Sequence, residues 1–147
     1  MQLSRHFSLA EATASDTARA MGNPNQPTLP HLANLQSTAA QLELVRALFA
    51  APIKVTSWYR NPAVNREVGG VVTSHHALGW AVDFRVQAVG GLAAARRIAA
   101  SGIPFDQLIY YVPTDVVHLS FHPQRRGEVW TNPTTRAGAK LRKGLPT

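Results

Sequence analysis

The feature that most constrains the fold of this chain is an alternating segment at residues 79–86. Large apolar side chains stand at every second position, and the positions between them hold Gly79, Ala81, Asp83 and Arg85. Because successive side chains of a β-strand point to opposite faces, this pattern predicts a strand with one core face and one polar face. On the polar face two small residues precede Asp83, which leaves a hollow beside its carboxylate.

The remainder of the chain predicts helices and short strands without a regular β-α-β rhythm. Apolar spacing and capping residues indicate helices over residues 9–21, 32–49 and 91–100. Alternation and β-branched residues indicate further strands over residues 53–57, 105–112 and 116–121. Residues 58–73 contain Asn-Pro and Gly-Gly breakers and predict an irregular loop with one helical turn. The fold class is therefore α+β, a small and mostly antiparallel sheet flanked by helices.

Candidate metal ligands lie on both sides of the hollow. His76 is in the turn that enters the strand, and the predicted strand at residues 116–121 carries His118. The chain has no cysteine, so a metal site must use His, Asp or Glu. Taken alone, each histidine is more simply explained as a buried or loop residue than as a metal ligand. Together with Asp83, however, two imidazoles and a carboxylate leave a fourth position open for water, as in catalytic zinc sites.

Two other histidines are second choices as ligands. His75 adjoins His76 but points elsewhere in an extended segment. His122 has the strand parity of His118, although it lies at the strand end before Pro123.

Charge restricts the class of partner. Lys and Arg number 15 against 8 acids, which gives a formal net charge of +7 and favours anionic partners. The basic residues are scattered and no recognition motif is present, so we expect no specific nucleic-acid binding. The N-terminus lacks the pattern of a secretory signal, and no run is long and apolar enough to cross a membrane.

The segment at residues 74–83 reads Ser-x-His-x-x-Gly-x-Ala-x-Asp, and an acid-x-x-His motif follows at Asp115 and His118. Residues 57–70 and 105–109 also resemble segments of the same family. The chain thereby resembles, over about residues 7–122, the zinc peptidases of peptidoglycan. That family includes D-alanyl-D-alanine carboxypeptidases, the D-Ala-D-Ala dipeptidases of vancomycin resistance and phage L-alanyl-D-glutamate endolysins.

The resemblance implies a hedgehog/DD-peptidase-like fold and a zinc metallopeptidase, either a DD-carboxypeptidase or an LD-endopeptidase. One Zn²⁺ per chain would be held by His76, Asp83 and His118. Zinc would polarise the scissile carbonyl and lower the pKa of water. The implied catalytic residues are Asp115, which would transfer protons, and Arg60, which would also contact a substrate carbonyl or carboxylate. Ser74 and Tyr59 would bind substrate.

Several positions depart from the family pattern. Asp115 stands where many relatives have Glu, and strict strand parity would place it on the face opposite His118. Some relatives carry Glu where Tyr111 stands here, and Trp58 replaces a usual Gly. These departures keep a second reading open, in which the chain is a non-catalytic structural or wall-binding module of the same fold in a phage particle.

We expect a single domain over residues 1–147, with a helical N-terminal part (1–50), a metal-binding core (51–122) and a basic tail (123–147) that is partly ordered at best. The expected partners are bacterial peptidoglycan and, through the basic surface, anionic polymers of the cell envelope. We expect a monomer that is made in the host cytoplasm without a signal peptide and acts on the cell wall after release, as in phage-type lysis.

Overall fold

In the computed structural model, which describes residues 1–136 and 139–147, the described residues form five α-helices and six β-strands. The helices are α1 (Leu9–Thr13), α2 (Asp16–Ala20), α3 (Leu29–Phe49), α4 (Pro62–Glu67) and α5 (Gly91–Ala100). The strands are β1 (Ile53–Ser57), β2 (Ala81–Val86), β3 (Gln107–Tyr111), β4 (Val116–Ser120), β5 (Glu128–Asn132) and β6 (Arg142–Lys143). The α+β class is confirmed.

The strands form one sheet in the order β1-β2-β4-β3-β5-β6. Every neighbouring pair is antiparallel except β3 and β5, which run parallel. The prediction of a mostly antiparallel sheet is therefore confirmed. In the pairing of β2 with β4, Asp83 lies directly opposite His118.

The two faces of the sheet have different environments. One face packs with α3 and α5 in a single apolar core, to which the sheet contributes Val82, Phe84, Leu108 and Leu119. Because side chains alternate along a strand, Asp83 and His118 project from the other face. None of the helices in the described part of the chain has the length and apolar character needed to cross a lipid bilayer.

The N-terminal helix predicted over residues 9–21 is two short helices. Ser8 begins α1 through a capping box with Glu11. The chain then becomes extended at Ala14, and Ser15 caps α2 by accepting a hydrogen bond from the backbone N–H of Ala18. A second serine cap interrupts the run because its side chain competes with the helix for backbone hydrogen bonds.

The expectation of a poorly ordered tail after Pro123 is wrong for the described residues of that segment. β5 pairs with β3 over five residue pairs, and β6 pairs with β5. Thr131 Oγ1 donates to the carbonyl oxygen of Gly144 at 2.7 Å, and Leu145 packs against the core. The basic composition concealed a β-forming run from Val129 to Thr131, which extends the sheet.

A candidate metal centre in an open cleft

His76 is positioned by a short 3-10 helix, His75–Leu78, that precedes β2. The Ser74 side chain caps this helix by accepting a hydrogen bond from the His76 backbone N–H at 3.2 Å. Gly79 ends it at a φ of 88°, and an added Cβ would lie 3.1 Å from the carbonyl oxygen of His31 in α3. A left-handed backbone packed against α3 favours glycine at this position. The turn at Gly79 connects the 3-10 helix, which carries His76, to β2.

The three side chains predicted as ligands converge on the polar face. Asp83 Oδ1 lies 3.2 Å from His76 Nε2 and 2.8 Å from His118 Nδ1. One ligand atom from each residue lies within 4.8 Å of the others. Both histidines are buried, and Asp83 retains a side-chain exposure of 21 %.

The protonation states at this cluster suit a divalent cation. Burial lowers the pKa of His76, so its imidazole is neutral near neutral pH. Burial alone would raise the pKa of Asp83, but the charge that His76 and His118 carry when protonated, and the hydrogen bonds that the protonated rings donate, lower it well below its usual range. A neutral imidazole and an ionised carboxylate are the forms that bind metal.

The surroundings of His76 also fit zinc. Its Nδ1 lies 2.6 Å from the backbone carbonyl oxygen of Trp58, which places the ring proton on Nδ1. Nε2 then carries the free lone pair and faces Asp83. A ligating histidine usually donates its second N–H to a carbonyl or carboxylate in this way. Two nitrogen donors and one carboxylate, with no sulfur, form a catalytic-type zinc donor set that leaves room for a further ligand.

These donors lie in a cleft of about 720 Å³. Arg60 also lines the cleft, and its buried Nε has no hydrogen-bond partner within the described residues. The planar, charged guanidinium at the wall of the cleft is suited to binding a carbonyl or carboxylate that enters it. The structure therefore brings Arg60 and Ser74 to the same cavity as the three candidate ligands.

Tyr111 lines the cleft, although the sequence predicted no role for it beyond its standing where some relatives carry a glutamate. It has the parity of Ile109, which lies directly opposite His118, so it projects toward the same face. Burial, followed by the charge of Asp83, raises the pKa of Tyr111 to about 12. The phenol therefore remains protonated and is a hydrogen-bond donor near neutral pH. Parity along β3 was the signal that could have identified it.

Two predicted site residues are not brought to the cleft. Asp115 Oδ1 accepts a hydrogen bond from the Tyr110 hydroxyl at 2.6 Å, and its Oδ2 accepts one from the Gly91 backbone N–H at 2.9 Å. The carboxylate thus binds the first turn of α5, on the helix-covered face, as strict strand parity indicated. The Tyr59 side chain is buried in the core, and its hydroxyl lies 2.9 Å from His31 Nδ1. Neither residue lines the cleft.

The second-choice histidines form a separate group with Asp106. The rings of His75 and His122 stack with centroids 4.6 Å apart, and His75 Nδ1 lies 2.6 Å from Ser120 Oγ. Asp106 is paired with Arg126, whose Nη2 lies 2.8 Å from Oδ2. This positive guanidinium makes the group a poorer cation site than the one at Asp83.

A protein-family model described as Peptidase M15 matches residues 5–120, which include His76, Asp83 and His118. A search of curated proteins gives no match.

Proposed function

The chain belongs to the peptidase M15 family, and from that premise we propose that it hydrolyses peptide bonds in the stem peptides of bacterial peptidoglycan. The family is one of zinc-dependent metallopeptidases that act on peptidoglycan. The observation that carries the proposal for this chain is the convergence of His76, Asp83 and His118 in the cleft. We propose that these three residues hold one Zn²⁺.

When bound, zinc supplies a Lewis acid that polarises the scissile carbonyl and acidifies water. The chain's own residues orient the substrate around it. Arg60 lines the cleft, where its guanidinium can bind a substrate carbonyl or carboxylate, and its charge persists because guanidinium stays protonated at any working pH. The Tyr111 hydroxyl donates a second hydrogen bond from β3. Two fixed donors of this kind stabilise the negative charge that develops on a carbonyl oxygen during attack.

Ser74 and Asp115 act in different ways. The Ser74 oxygen holds the backbone of His76, and its own proton is free to be donated to substrate. Asp115 is tied to Gly91 and Tyr110, so its contribution in this arrangement is to hold the β3–β4 turn against α5. Asp83 is the only carboxylate that lines the cleft within residues 1–136 and 139–147.

That shortage of cleft carboxylates favours a second candidate function. A wall-binding or structural module of the same fold would need the cleft but no second acid for proton transfer. We rank it below hydrolysis because Arg60 and Tyr111 supply donors that simple wall binding does not require.

The proposal extends to the setting, which is phage-type lysis of the cell wall. The net charge of +7 supports attraction to anionic envelope polymers, an effect that salt screens.

The decisive experiment digests defined muropeptides with zinc-loaded protein and identifies the products by mass spectrometry. We expect cleavage at L-Ala–D-Glu or D-Ala–D-Ala, and loss of cleavage in His118→Ala. His122→Ala is the matched control, because that imidazole lies outside the proposed ligand set. Binding to insoluble peptidoglycan without any cleavage by wild-type protein would support the module instead.

A further inference from the structure

One row of side chains crosses the sheet from the candidate metal centre to its far edge. In register, Asp83 pairs with His118, His118 with Ile109, Ile109 with Trp130, and Trp130 with Lys143. Neighbouring strands lie about 4.8 Å apart, so Trp130 stands two strands from His118, at roughly 10 Å. Trp130 and Lys143 lie beyond the span that the family model matches.

Trp130 is two residues from Asn132 on β5, so both side chains lie on the same face of the sheet. Because Asn132 lines the cleft, the Trp130 indole lies on the cleft face of the sheet, next to the cleft. The side chain is half-buried, and its Nε1 donates to Glu128 Oε1 at 3.4 Å. Glu128 is also held by Gln107 Nε2 at 2.9 Å. A shallow pocket here is lined by Arg126, Glu128, Trp130 and Lys143, and it shares Arg126 with the cleft.

This pocket combines a flat apolar ring with a carboxylate and an ammonium at its border. A pyranose ring has a complementary surface, since one face presents C–H groups and the edge carries hydroxyl and acetamido groups. Stem peptides consist largely of alanine and charged residues, which offer little apolar area to an indole. The geometry points to a subsite in which Trp130, Glu128 and Lys143 bind a sugar ring of the glycan strand.

The position of the subsite also narrows the bond that is cut. The sugar is joined through its lactyl group to L-Ala, and each extended residue spans about 3.3–3.6 Å. The L-Ala–D-Glu bond then lies about one residue plus the lactyl linkage from the sugar, within reach of the roughly 10 Å separation. The D-Ala–D-Ala bond lies three residues further. This inference rests on the proposed function and assigns the chain to the LD-endopeptidase type.

The test compares two substrates that differ only in the sugar, namely a disaccharide-linked stem peptide and the same peptide released by an amidase. We expect Trp130→Ala to raise KM for the disaccharide-linked peptide about tenfold, as for the loss of one aromatic contact, with little change in kcat. The free peptide should be cleaved equally by the variant and the wild type. An equal loss on both substrates, or no loss on either, would overturn the subsite.

Adjacent residues of β6 supply a matched pair of controls. Lys143 pairs with Trp130 on the cleft face, whereas Arg142 pairs with Thr131 and has the opposite parity. We expect Lys143→Ala to raise KM for the disaccharide-linked peptide and Arg142→Ala to leave it unchanged. The same result for both variants would argue against a sugar at this face.

A binding measurement separates this inference from the proposed function. A peptide-free tetrasaccharide of alternating N-acetylglucosamine and N-acetylmuramic acid is titrated into the protein and followed by NMR. The chain has three tryptophans, and Trp130→Phe identifies the Trp130 indole N–H signal by its loss. A saturable shift of that signal supports the subsite even if the wild-type protein cleaves nothing. No shift would refute the subsite, whatever the activity.

Discussion

At the scale of single residues, backbone contacts fix the positions of the side chains that converge in the cleft. The Trp58 carbonyl oxygen orients His76, and the register of β2 with β4 sets Asp83 against His118. Arg60 and Tyr111 line the cleft but do not belong to the proposed ligand set, so substrate contacts can be tested on them without removing a proposed ligand.

We expect Tyr111→Phe to lower kcat about 10- to 100-fold, because one preorganised donor to the developing oxyanion is lost. KM and bound zinc should change little, since the phenol is not among the proposed ligands. Steady-state kinetics on a muropeptide, with zinc measured by elemental analysis, checks this. A loss of zinc in step with activity would instead make Tyr111 a residue that supports the metal centre.

We expect Asp115→Ala to act on stability more than on chemistry. It removes hydrogen bonds to Tyr110 and to the start of α5, which should lower the free energy of unfolding by about 1–3 kcal/mol. Urea unfolding measures the loss, and turnover per folded molecule measures catalysis. Unchanged stability with abolished turnover would restore Asp115 as the proton-transfer residue.

At the scale of elements, the segment after Pro123 is tied to the start of β3. Arg126 donates to both oxygens of Asp106, through Nε at 3.0 Å and Nη2 at 2.8 Å. The backbone N–H of Glu128 donates to the carbonyl oxygen of Asp106 at 2.9 Å. Because the Asp106 side chain is fully buried, this tether is the polar anchor of β5.

We expect Asp106→Asn to lower the free energy of unfolding by about 1–3 kcal/mol near neutral pH. The hydrogen bond from Arg126 holds the pKa of Asp106 below its usual value of 3.8. A carboxyl whose folded-state pKa is depressed stabilises the fold above its unfolded-state pKa, and that stability is lost as pH falls through the folded-state pKa. The difference in free energy of unfolding between Asp106→Asn and the wild type should therefore become smaller below pH 3.8.

Thermal unfolding across pH checks this, with Glu128→Gln as the control at the more exposed end of the same cluster. If the difference in stability between variant and wild type stayed constant until the protein unfolds in acid, the charge of Asp106 would contribute nothing to the anchoring of β5.

At the scale of the whole molecule, helices cover one face of the sheet and leave the other as an open cleft. His76 and Asp83 come from the adjacent 3-10 helix and β2, whereas His118 comes from β4, which lies beside β2 only in the folded chain. A cation bound there links elements that are separate in sequence, so it should stabilise the whole fold.

We expect zinc at 100 times its dissociation constant to raise the free energy of unfolding by about 2.7 kcal/mol. Chelation should remove this gain, and His118→Ala should abolish it while His122→Ala retains it. Calorimetric melting with and without chelator measures the effect. An identical response to zinc in both variants would exclude the proposed ligand set.

Local patterns were enough to predict the α+β class, the strand at Asp83 and the approximate positions of most helices. Alternation and capping act between near neighbours, so a single sequence carries them. The Ser-x-His-x-x-Gly-x-Ala-x-Asp motif likewise identified two of the three candidate ligands, His76 and Asp83, because β2 and its preceding turn are contiguous in the chain. The alternation of residues 116–121 and the acid-x-x-His motif identified the third, His118.

Only the tertiary structure decided the partners of the remaining site residues. Asp115 bonds to α5 and not to the cleft, Tyr59 is buried against His31, and β5 joins the sheet beside β3. Each outcome depends on which distant elements pack together. Long-range pairing of strands and the choice of buried hydrogen-bond partner are set by the whole core, and local sequence preferences do not encode them.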